Sequence, residues 1–61
     1  MTRQEYLQEL EGLLRDIPEA ERRDIMYDYE EHFQIALEKG KTEAEIIKAL
    51  GSPRSIAKEL M

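Results

Sequence analysis

Residues 16–40, DIPEAERRDIMYDYEEHFQIALEKG, read as one helix in a chain of only 61 residues. At 1.5 Å per residue such a helix is roughly 35 Å long, about the diameter of a small domain. The remaining segments therefore have little choice but to pack along it. Asp16 is the expected N-cap, with Glu19 three residues on as its capping-box partner. Pro18 falls in the first turn, where its missing N–H costs nothing. Glu19, Glu21 and Asp24 suit the positive end of the helix dipole and Lys39 the negative end. Gly40 supplies a left-handed stop. Between these signals Ile25, Met26, Tyr29, Phe33, Ala36 and Leu37 recur at steps of three and four, forming one apolar stripe.

Tyr27 and Ile35 break that pattern. They lie about 160° and 120° around the helix from Tyr29, where polar residues are expected. Asp24, Glu31 and Glu38 border them. One reading is ordinary apolar surface, or cover by the C-terminal helices. The other is a partner-binding face made of Asp24, Tyr27, Glu31, Ile35 and Glu38, an apolar centre with an acidic rim. Such a rim suits a basic partner better than a second acidic copy of the domain.

The flanking segments carry their own helix punctuation. Thr2 and Glu5 make a capping box before Tyr6, Leu7, Leu10, Leu13 and Leu14. Gly12 weakens this helix, and a close helix crossing is the expected reason. The short break at Arg15-Asp16-Ile17-Pro18 makes the first two helices antiparallel neighbours, with Ile17 turned inward. Thr42 and Glu45 make a second capping box before Ile46, Ile47 and Leu50. Gly51 closes that helix, then Ser52 and Pro53 open a last one as N-cap and N1, with Ile56, Ala57, Leu60 and Met61 on its buried side. Strand alternation is missing. The expected fold is all-α: a compact bundle of four helices over about 2–14, 17–39, 42–50 and 53–60, the first two an antiparallel hairpin. Leu10, Leu14, Tyr29, Phe33, Ile47, Leu50 and Ile56 are its expected core.

Length and charge narrow the function. A chain this short forms one domain, and without cysteine it has no disulfide or thiolate metal cage to hold it. The net charge is −5, distributed as −2 over residues 1–17, −4 over 18–39 and +1 over 40–61. That balance repels nucleic acid and anionic lipid. The sequence shows neither a membrane-spanning run nor a secretory leader, so a cytoplasmic location is expected. His32, with Asp28 four residues before it, lacks the further ligands a metal site needs, and is expected to flank the core within reach of Asp28. Asp24, Asp28, Glu30 and Glu31 read as a solvated face, since acid–base catalysis needs a pocket that perturbs pKa. No catalytic, cofactor-binding or metal-binding residues are assigned, and no enzyme activity is expected. The alternative is a helix-turn-helix DNA-binding module over 42–60, with Arg54, Ser55 and Lys58 on its second helix. Against it stand Ile47 where a small residue is usual and the weak local charge.

Taken in order, Glu5-Tyr6-Leu7, Leu10, Leu13-Leu14, Ile17-Pro18, Asp28-Tyr29-Glu30-Glu31-His32-Phe33, Gly40-Lys41-Thr42-Glu43, Ile46-Ile47, Leu50-Gly51-Ser52-Pro53 and Ile56-Ala57 resemble the bacterial HAAS signalling domain. The resemblance covers essentially the whole chain. It implies a single adaptor domain over residues 1–61 at the cytoplasmic end of a longer protein, often one that continues into transmembrane helices. It also implies a PadR-like winged-helix regulator as the protein partner, and no cofactor. The sequence stops at Met61 without a C-cap, as expected of a domain cut from a longer membrane-associated protein. Self-association through the Tyr27 face is a further possibility.

Overall fold

The computed structural model describes residues 1–60, and they are all-α, with no strand among them. Helix α1 spans Arg3–Leu13, α2 Glu19–Glu38, α3 Glu43–Leu50 and α4 Pro53–Leu60. The molecule measures 34 × 18 × 17 Å. Its long axis is close to the roughly 30 Å rise of a 20-residue helix, so α2 sets the size of the domain.

Local chemistry fixes most helix ends. Thr2 accepts from the Glu5 N–H at 3.2 Å while Glu5 accepts from the Thr2 N–H at 2.9 Å. Thr42 and Glu45 repeat both bonds at the same distances. These bonds to the ionised form hold the Glu5 and Glu45 carboxyls below their ordinary range. The Ser55 N–H donates to Ser52 Oγ, so Ser52 caps α4 and Pro53 opens it. At the far end of α2 the Gly40 N–H bonds to Leu37 O and the Lys41 N–H to Ala36 O, with Gly40 at φ +88°. That pair of bonds is the Schellman closure, and it needs the left-handed residue that glycine supplies.

The start of α2 differs from expectation. Pro18 is the N-cap, in extended conformation at ψ 143°, and no side chain caps the helix. Asp16 sits two residues too early, because a capping side chain must come from the residue just before the first helical one. The bend is held instead by Arg22, whose Nη1 donates to Arg15 O and Ile17 O, each at 3.2 Å. Gly12 also departs from expectation. A Cβ there would meet nothing within 4 Å, so no close crossing explains it.

The core gathers Tyr6, Leu10, Leu14, Met26, Phe33, Ala36, Ile46, Ile56 and Ala57. Tyr6 lies edge-on to Phe33, with ring centroids 5.6 Å apart. Of the expected core, Leu10, Leu14, Phe33 and Ile56 are buried, whereas Tyr29, Ile47 and Leu50 are half-buried at its margin. In α3 it is Ile46, not Ile47, that turns inward, and Leu60 remains 44% exposed. Met61 lies outside the described residues.

Polar links tie distant segments. Tyr6 donates its hydroxyl to Gly51 O at 2.8 Å, and the Arg3 N–H donates to Glu43 Oε1 at 2.7 Å. Arg3 Nη2 also reaches Glu30 O at 3.4 Å. Helix α1 thus contacts α2, α3 and α4, which leaves one long side of α2 facing solvent.

A candidate docking face on the long helix

The side of α2 turned away from α1 carries Asp24, Tyr27, Glu31, Ile35 and Glu38. At 100° per residue these five positions fall within an arc of about 80°. All five are exposed, Tyr27 at 65% and Ile35 at 43%. The eight-residue step between the two apolar side chains corresponds to about 12 Å along the axis, with Glu31 midway. Asp24 and Glu38 stand beyond the two ends. Cover by the C-terminal helices is ruled out, since α3 and α4 leave both apolar side chains open to solvent.

The acidic groups of this face are not neutralised within the domain. Among the described residues the one ion pair joins Arg23 to Glu19 at 3.4 Å, between well-exposed side chains. Exposed pairs of this kind contribute about 0–1 kcal/mol. Glu38 accepts a hydrogen bond from Gln34 Nε2 at 3.1 Å, which orients it without removing its charge. Two apolar side chains among uncompensated carboxylates favour a partner that brings cations and an apolar centre.

The other sequence candidates lie apart from this arrangement. His32 is exposed and forms no ion pair with Asp28; the two residues share a solvent-facing side of α2. No group of three or more His, Cys, Asp or Glu among the described residues could hold a metal ion. Asp28 and Glu30 are exposed like the acids of the docking face, and Glu30 borders an open groove between α1 and α2. Arg54, Ser55 and Lys58 are exposed on α4, but Ser55 Oγ donates to Ser52 O at 3.0 Å and its N–H to Ser52 Oγ, so its polar groups serve the helix start. No helix among the described residues is long and apolar enough to cross a membrane.

A cleft between the second half of α2 and α3 was not expected from the sequence. His32, Ile35, Ala36, Lys39, Lys41, Glu45, Ile46 and Ala49 line it. Its sequence trace is faint: two lysines around a helix-ending glycine, and an alanine next to the last residue of α3.

The HAAS family profile matches residues 5–59, which covers all the helices except Arg3 and Gln4 of α1 and Leu60 of α4. No curated protein and no solved structure matches the chain.

Proposed function

The chain belongs to the HAAS family, and from that premise we propose that it is a non-catalytic signalling adaptor domain that binds a PadR-like transcriptional regulator. The working unit is a bundle of four helices opened by an antiparallel α1–α2 hairpin, and it acts in the cytoplasm, as the soluble part of a membrane-associated protein. The observation that carries this reading is the exposed pair Tyr27 and Ile35 inside an acidic rim on the longest helix. Aromatic side chains are frequent anchors at interface centres. The acidic rim directs the choice toward a basic partner surface and away from a second copy, whose like-charged rim would repel it.

The test is a binding titration of the domain against the purified regulator. Tyr27→Ala combined with Ile35→Ser should weaken association at least tenfold, about 1.4 kcal/mol. Both side chains are exposed, so the same double change should leave folding stability within about 0.5 kcal/mol. Association that survives the change unaltered places the interface elsewhere.

A further inference from the structure

Ile35 stands on the border between two unlike surfaces. On one side is the acidic Tyr27 face. On the other is the cleft between α2 and α3, with a volume of about 420 Å³. Its floor is apolar: Ala36 and Ile46 are buried there, and Ile35 and Ala49 form its walls. Its rim carries Lys39, Lys41 and His32, against Glu45 as the single acid. Glu45 has a second employment, since its Oε1 accepts from the Thr42 N–H at 2.9 Å in the capping box. Neither lysine forms an ion pair among the described residues. The backbone N–H groups of Lys39, Gly40 and Lys41 close α2, while the Lys41 charge also acts on the Glu45 carboxyl across the cleft without a direct ion pair. A cation-rimmed apolar trough on a domain of net charge −5 is a local reversal of sign.

We propose that this cleft is a second docking site, and that it takes an acidic amphipathic helix from a protein partner. Charge complementarity selects the sign: carboxylates on the incoming segment meet the ammonium groups of Lys39 and Lys41. Geometry selects the helix. A small-molecule site encloses about 70–90% of its ligand. Here only α2 and α3 form walls, and every lining residue except Ala36 and Ile46 is exposed. An open trough is suited to apolar side chains projecting from one face of a helix. Helix α3 has eight residues, about 12 Å of wall. Anchors at i, i+3 or i+4, and i+7 of a docked helix span about 10.5 Å, so two turns fill the site. With the Tyr27 face accepting a basic surface and this cleft an acidic one, the domain offers two sites of opposite charge that meet at Ile35.

The probe is a 14-residue amphipathic peptide with leucines at i, i+3, i+4 and i+7 and glutamates elsewhere. Its control replaces every glutamate by lysine. Titration into the isotope-labelled domain should move the amide signals of His32, Ile35, Lys39, Lys41, Ile46 and Ala49. Read at the signals of Lys39, Lys41, Ile46 and Ala49, the acidic peptide should bind at least tenfold more tightly than the basic one, which is expected on the Tyr27 face instead. Lys39→Glu with Lys41→Glu should invert that order, with circular dichroism confirming that the variant is folded. Tyr27→Ala should leave acidic-peptide binding unchanged, which separates this site from the regulator-binding face. Equal binding of the two peptides at the cleft signals, acidic-peptide binding that survives the double reversal, or signal changes centred on Arg54 and Lys58 would each overturn the proposal. Displacement of the peptide by dodecanoate, with dodecanoate binding the more tightly, would overturn it in favour of a small amphiphile.

Discussion

Tyr6 joins three parts of the molecule: its ring meets Phe33 of α2, its body is fully buried in the core, and its hydroxyl donates to Gly51 between α3 and α4. Burial, with a smaller contribution from Tyr29, pushes its phenol up from 10.0 to about 12. The folded state therefore keeps the proton after the unfolded chain has lost it. This contribution to stability is complete below pH 10 and is lost as pH rises through 12. Denaturant midpoints measured from pH 9 upward should fall more steeply for the parent than for Tyr6→Phe, which has no proton to lose. At neutral pH that variant should be less stable by about 0.5–1.5 kcal/mol, the net contribution of one hydrogen bond. Phe33→Ala is the harsher change, expected to cost about 3–5 kcal/mol. Since a small domain has only about 5 kcal/mol or so in hand, thermal melting should find this variant largely unfolded. The sequence placed Phe33 in the core because it lies mid-stripe on a long helix. It named Ile47 for the core where the structure buries Ile46, since an eight-residue helix is too short for periodicity to orient it. The angle at which α3 leaves Gly40 decides which isoleucine turns inward, and that angle is a tertiary property.

Helix ends were legible wherever the signal was a local hydrogen bond. Thr2 with Glu5, Thr42 with Glu45, and Ser52 before Pro53 close their bonds within four residues and owe nothing to the rest of the fold. The start of α2 was misread: no side chain caps its N–H groups, and the bend before it is held by Arg22, which donates back to two carbonyls. The two helical-end glycines of α1 and α2 offer a paired test. Gly12 lies inside α1 with open space around it, so Gly12→Ala should raise stability by about 0.4–1 kcal/mol. Gly40 also has space, but at φ +88° an alanine is strained, and Gly40→Ala should lower stability by about 1–2 kcal/mol. Urea unfolding of the two variants should move the midpoint in opposite directions. The exposure of Tyr27 and Ile35 was visible as a break in the stripe, whereas the α2–α3 cleft joins residues from two helices that no single periodicity connects.

At the scale of the whole molecule the unpaired charge sets the response to salt. With a net charge of −5 and a single exposed ion pair among the described residues, screening relieves more repulsion than attraction. Melting temperature should therefore rise between about 0.01 M and 0.15 M sodium chloride, as the Debye length falls from about 30 Å to 8 Å. Association with a basic partner should weaken over the same range, so the two measurements move oppositely. A melting temperature that falls with salt would show that attractive pairs dominate the fold. The bonds from α1 to the C-terminal segments also impose an order in time. Gly51 follows Tyr6 by 45 residues. At a synthesis rate of about 5–20 residues per second, that is roughly 2–9 s before its acceptor has even been made. A nascent chain must keep Tyr6, Leu10 and Leu14 shielded or solvated for that interval, because the helix made first is the one that waits longest for its neighbours.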